Sequence, residues 1–107
     1  LDFSLDANYD QNNDSWNISL TGEIDMFNSD EFKARLVELT EKKHSSLNID
    51  CKYLDYIDST GLGVLVSVFK SVSGTGGDVR ILNPNKSLKK LFAITNLDKV
   101  FSMGGDE

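Results

Sequence analysis

The apolar period of this chain changes between Leu47 and Phe69, and that change narrows what it can fold into more than any other feature. Leu47, Ile49 and Cys51 alternate with polar residues, the pattern of a strand with one buried face. Leu62, Leu65, Val66 and Phe69 then repeat at helical spacing, which predicts a helix from about Ser59 to Ser73. Tyr53 to Ile57 crosses from one to the other, so Asp58 or Ser59 falls at the helix N-cap. A hydroxyl there lies beside unpaired N–H groups and the positive end of the helix dipole, a place that favours a negative group, phosphate included. Capping alone also accounts for Asp58-Ser59-Thr60, and on spacing alone it is the commoner reason for such residues.

The flanking segments extend the same logic. Phe3, Leu5 and Ala7 alternate with polar residues as a first strand, Asp10 to Asp14 reads as a hairpin turn, and Trp16, Ile18 and Leu20 form a second strand that stops at Gly22. Asn28 is placed to cap a first helix, with Glu31 at capping-box spacing and Phe32, Leu36 and Leu39 as its apolar stripe. Gly74 to Gly77 ends the second helix. That cluster is not a phosphate loop, because it follows a helix and lacks the Lys-Ser/Thr ending. Val79 to Leu82 is a fourth strand, and Asn85 caps a third helix carrying Leu88, Leu91 and Phe92. A short edge strand is expected at Val100 to Met103, and Gly104 to Glu107 as a loose tail. The order ββαβαβα, without repeat or linker, predicts an α/β fold in which the later strands pair in parallel.

At 107 residues the chain suits a single domain spanning 1–107. Its net charge of −6 leaves no basic stripe to neutralise nucleic-acid phosphates, and suits a protein partner with a basic face. No apolar run reaches transmembrane length and no signal-peptide pattern opens the chain, though Leu1 in place of Met suggests a trimmed start. Cys51 is the only cysteine and His44 the only histidine, which fits a reducing cytoplasm and argues against a zinc or Cys/His catalytic site. Ser59 has no predicted base or oxyanion donor near it, so it is a poor nucleophile but a reasonable phosphoryl acceptor for a kinase that brings ATP, metal and base. Gly61 and Gly63 open a helix at a cost of up to ~1 kcal/mol each relative to alanine, so close approach of another backbone or tight packing on the sheet is expected there.

Three blocks carry a family resemblance. Asp58-Ser59-Thr60-Gly61-Leu62-Gly63 resembles the phosphorylation-site signature of bacterial anti-anti-sigma factors, small STAS-domain proteins, and most closely their general-stress-response branch. Gly22-Glu23-Ile24-Asp25 resembles their second signature, and Leu91-Phe92-Ala93-Ile94-Thr95-Asn96-Leu97 is similar to the end of their third helix, with Asn96 where the family usually has Gly. The blocks are in register along nearly the whole chain.

The resemblance implies a STAS domain: a mixed sheet of four or five strands with helices packed on it. It implies no catalytic residue and no cofactor or metal. It implies that the unphosphorylated protein binds an anti-sigma factor that is also a serine kinase of the GHKL ATPase type, freeing a sigma factor. Phosphorylation of Ser59 would end that binding, and a metal-dependent serine phosphatase would reset it. By position, Ser59 is the acceptor, Asp25 and Asp58 are its polar neighbours, and Gly22, Glu23, Thr60 and Gly61 belong to the partner surface. Asp25 has a second reading, as a residue that only shapes the turn before the first helix. Ser29-Asp30 departs from the family pattern at the edge of that surface. The alternatives are a non-switching STAS module, either a stressosome scaffold or a small subunit of a lipid-transport complex, and a flavodoxin-like enzyme or ligand binder, for which the phosphate-cradling loop is missing.

Overall fold

A computed structural model of the protein describes residues 2–104. The elements run β1 (Phe3–Asp10), β2 (Ser15–Ile24), α1 (Ser29–Lys42), β3 (Ser46–Ile57), α2 (Ser59–Ser73), β4 (Val79–Leu82), α3 (Lys86–Ile94), a 3-10 turn (Leu97–Lys99) and β5 (Ser102–Gly104). All five strands form one sheet in the order β1-β2-β3-β4-β5. β1 and β2 are an antiparallel hairpin, and each later neighbour pairs in parallel. This is the expected mixed sheet and the expected element order.

One face of the sheet carries the core. Trp16, Ile18 and Leu20 of β2, Leu47, Ile49 and Cys51 of β3, and Val79 and Ile81 of β4 are buried there. Phe32 and Leu36 of α1, Leu62, Leu65 and Val68 of α2, and Leu88 and Phe92 of α3 close over them. The intervening strand residues, among them Asn17, Asn48 and Arg80, form a polar outer face, as a half-covered sheet requires. Burial of Cys51 pushes its thiol up to about 12, so it behaves as a small apolar side chain. The hairpin end is tied by Asp14, which has φ 48 and accepts from the Tyr9 hydroxyl and from Ser45 Oγ. Asn96 takes the left-handed conformation (φ 61) just past α3, as its place in the sequence suggests.

Three boundaries and one cap differ from the sequence expectation. β2 does not stop at Gly22 but continues to Ile24, because Gly22 (φ +97) absorbs a register shift and pairing resumes with Glu23 opposite Tyr56. β3 does not end at Cys51 but runs to Ile57. Between Ser19 and Thr21 of β2 the partner advances from Asp50 to Tyr53, so burial from Cys51 onward falls every third residue, on Leu54 and Ile57. Asn28 stands at the N-cap of α1 without a side-chain cap bond. Instead its Oδ1 accepts from the Asp25 N–H (2.9 Å) and its Nδ2 donates to the Glu23 carbonyl (2.9 Å). The edge strand begins at Ser102 rather than Val100 and includes Gly104, since Leu97 to Lys99 first form the 3-10 turn. Positions 105–107 of the expected loose tail lie outside the described residues.

Candidate partner-binding site at the ends of two strands

Because β2 and β3 are parallel neighbours, their C-terminal ends coincide. Ile24 pairs with Ile57, and the Asp58 N–H donates to the Ile24 carbonyl at 3.1 Å, so the pairing extends into the turn. The loop after β2 and the start of α2 are therefore side by side, at the strand-to-helix edge where α/β sheets carry their sites.

Asp58 is the N-cap of α2. Its Oδ1 accepts from the N–H of Thr60 (2.9 Å) and of Gly61 (3.2 Å), and from the Thr60 hydroxyl. The Met26 N–H is turned toward the same carboxylate and also favours its charged form. The Thr60 hydroxyl above all, and then these backbone donors, hold the Asp58 carboxyl below the usual carboxylate range against the opposing effect of desolvation. Ser59 is the first residue of the helix and is exposed. Its hydroxyl has no hydrogen-bond partner among the described residues. Two neighbouring hydroxyls thus differ: that of Thr60 is committed to the cap, that of Ser59 is free.

The other expected residues divide by what they touch. A Cβ on Gly61 would lie 2.5 Å from Ile57 Cγ1 and 2.9 Å from Ile24 Cγ2. Packing of α2 on the two strand ends is thus the reason for glycine there. Gly63 has nothing within 4 Å of a built Cβ, so neither reason anticipated for it operates within the chain. A side chain on Gly22 would run into the Asp2 carbonyl oxygen, so this glycine lets β1 close against β2. Glu23 is half-exposed, with its N–H bonded to the Asp2 carbonyl.

Asp25 is 7% exposed and is committed to its own loop. Its Oδ1 accepts from the Phe27 N–H at 2.9 Å, and its carbonyl accepts from the N–H groups of Asn28 and Ser29. No hydrogen bond joins it to Ser59 among the described residues.

The sequence reading missed Met26, Phe27 and Tyr56, which are 66%, 87% and 48% exposed around this edge. The signal was present at Met26-Phe27: two large apolar residues between Asp25 and Asn28, in a segment with neither strand nor helix period. Tyr56, Ser59, Leu88 and Leu91 help line a cavity of ≈ 360 Å³ between the start of α2 and α3. Among the described residues no three His, Cys, Asp or Glu side chains group as a metal would need, and no helix is long and apolar enough to cross a membrane.

The fold and this edge have counterparts. Residues 6–106 match the STAS domain. An anti-sigma-B factor antagonist of Bacillus subtilis is 34% identical over 94% of this chain and 91% of its own. The chain belongs to the STAS-domain family, among the anti-sigma factor antagonists. A second such relative, the anti-sigma-B factor antagonist of Listeria monocytogenes, is 32% identical over 88% of this STAS chain and 82% of its own length. Among solved structures, TM1081 of Thermotoga maritima superposes with a TM-score of 0.84 at 24% identity, covering 94% of this chain and 85% of that one. SpoIIAA of Bacillus in its phosphorylated form gives 0.70 at 19% identity, over 95% and 90%. At those identities the structural likeness speaks for the STAS fold alone.

Proposed function

We propose that this STAS domain is an anti-sigma factor antagonist switched by phosphorylation of Ser59. In its unphosphorylated form it binds an anti-sigma factor that is also a serine kinase of the GHKL type, and so frees the sigma factor. The observation that carries this reading is the free, exposed Ser59 hydroxyl at the first position of α2, beside a Thr60 hydroxyl already bound to Asp58. The names of the relatives and the phosphorylated form of SpoIIAA support it.

The chemistry follows from the setting. A bond forms between Ser59 Oγ and the γ-phosphorus of ATP while the bond from that phosphorus to the β-phosphate oxygen breaks. ADP leaves, and the hydroxyl proton goes to the kinase's base. The product adds about −1.5 to −2 charge at pH 7, next to the Asp58 carboxylate. The N-terminus of α2 partly stabilises that charge, so the domain keeps its fold. The partner surface, by contrast, now meets a bulky dianion where it met a neutral hydroxyl, and binding is lost. A metal-dependent serine phosphatase restores the hydroxyl.

Phosphopeptide mapping after reaction with the kinase and ATP is the test, with wild type and Ser59→Ala side by side. The expected result is one modified residue, Ser59, and no labelling of the variant. Phosphate on Thr60, or undiminished labelling of Ser59→Ala, would overturn the assignment.

A further inference from the structure

Two large apolar side chains are displayed in water beside the Ser59 edge. Phe27 is 87% exposed and Met26 66%. Exposed apolar residues are ordinary when scattered, but these two sit on a loop that is held unusually well. Asp25 Oδ1 takes the Phe27 N–H, Asn28 Oδ1 takes the Asp25 N–H, and Asn28 Nδ2 reaches the Glu23 carbonyl, each at 2.9 Å. The Asp58 N–H donates to the Ile24 carbonyl at 3.1 Å, which holds the base of this loop beside the start of α2. A buried carboxylate and a side-chain amide are thus used to fix the backbone at the place where it presents Met26 and Phe27. A fixed display loses little conformational freedom when it is covered.

The surroundings say what covers it. No Lys or Arg occurs before Lys33, and none occurs between Tyr53 and Phe69. Within the two segments that form this edge the exposed or half-exposed charges are Glu23, Asp30, Glu31, Asp55 and Asp58. The surface is an apolar tip inside an acidic rim. Such a rim repels an anionic membrane, and it repels the same edge of a second copy. It complements a protein surface with an apolar recess fringed by Lys or Arg.

We infer that Met26 and Phe27 form an apolar anchor that enters such a recess on the anti-sigma factor kinase, making them affinity- and specificity-determining residues next to the phosphorylation site. This rests on the functional reading above. The anchor supplies the desolvated centre of the contact and the carboxylates its rim. Ser59 lies at the border of the two, where a phosphate is most disruptive.

The test is binding of the full chain to the purified anti-sigma factor kinase from the same organism, by surface plasmon resonance, for wild type, Phe27→Ala, Phe27→Leu, Met26→Ala and Glu23→Gln. Phe27→Ala is expected to weaken binding at least tenfold, about 1.4 kcal/mol, mainly through faster dissociation. Its melting temperature should stay unchanged, because the ring is in water. Phe27→Leu should recover most of the affinity, Met26→Ala should lose less than Phe27→Ala, and Glu23→Gln should chiefly slow association and flatten its salt dependence. Wild-type affinity in Phe27→Ala, with the kinase still bound, overturns the anchor and leaves the switch standing. A dimer of this chain that Phe27→Ala dissolves, with kinase binding unaltered, also overturns it. A wild-type chain that does not bind the kinase at all overturns the switch and the anchor together.

Discussion

Gly61 and Gly63 lie two residues apart at the start of α2, yet the same substitution is expected to move stability in opposite directions at the two. In a helix interior alanine is favoured over glycine by ~0.8–1 kcal/mol. At Gly63 an added Cβ meets nothing within 4 Å, so most of that gain is realised, and Gly63→Ala should stabilise by about 0.5–1 kcal/mol. At Gly61 the added Cβ would press on Ile57 Cγ1 at 2.5 Å and Ile24 Cγ2 at 2.9 Å. Those side chains are 2% and 0% exposed, and they end the paired strands β3 and β2, so neither can turn into solvent. Overpacking of this kind costs ~1–3 kcal/mol, which outweighs the helix gain and leaves Gly61→Ala destabilised by up to about 2 kcal/mol. For a domain of this size each kcal/mol shifts Tm by roughly 4 °C. Scanning calorimetry, with urea unfolding at 25 °C as a second measure, should therefore place the two variants on opposite sides of wild type. A stabilised Gly61→Ala, or a destabilised Gly63→Ala, would refute the packing argument.

Other expectations follow from the same edge and from the hairpin. Asp58→Ala removes the cap of α2 and should cost about 0.5–2 kcal/mol in urea unfolding, against little for Ser59→Ala, whose hydroxyl has no partner among the described residues. Asp25→Ala takes the buried acceptor from the partly buried Phe27 N–H and should cost about 1–3 kcal/mol. If instead it leaves stability alone and changes kinase affinity, Asp25 belongs to the contact rather than to the loop. Asp10, Asp14 and Asp58 are all held below the usual carboxylate range, by the Asn13 amide, by the Ser45 and Tyr9 hydroxyls, and by the Thr60 hydroxyl respectively. Each is a depressed carboxylate, so its contribution is present above the unfolded pKa, near 3.9, and is lost as pH falls through the lower folded value. Thermal melts should show stability declining below about pH 4. Asp58→Asn should make that decline shallower, and an unchanged slope would count against the cap as its source.

Much of this was legible from residue type and spacing, and what was not has physical causes. The strands whose burial alternates strictly, such as Trp16-Ile18-Leu20, declared themselves. The second half of β3 did not, because the slip against β2 replaces alternation with a three-residue burial repeat at Cys51, Leu54 and Ile57. Asn28 has the right type and place for a cap, but its amide is recruited by Asp25 and Glu23, a competition that local pattern cannot reveal. The Asp58 cap and the exposed Ser59 were readable because a helix start is a local event. That the Gly22 to Asp25 segment lies beside them depends on β2 and β3 being parallel neighbours: the strand–helix–strand order favoured parallel pairing, and the family resemblance placed that segment next to Ser59. Met26 and Phe27 went unnoticed because apolar residues outside a periodic run look like noise until their exposure is seen.

The β2–β3 ladder remains paired to its last residues, and the Asp58 N–H continues it onto Ile24. A mount of that kind has no hinge. In the proposed switch a phosphate written at Ser59 would act where it is written, and the hairpin at the opposite end of the strands keeps its own ties among Tyr9, Asp14 and Ser45. Erasing the mark then asks for one hydrolysis and no refolding. Under the proposed switch, the same molecule would serve over many cycles, at a tempo set by how often it met kinase and phosphatase rather than by any slow rearrangement of its own.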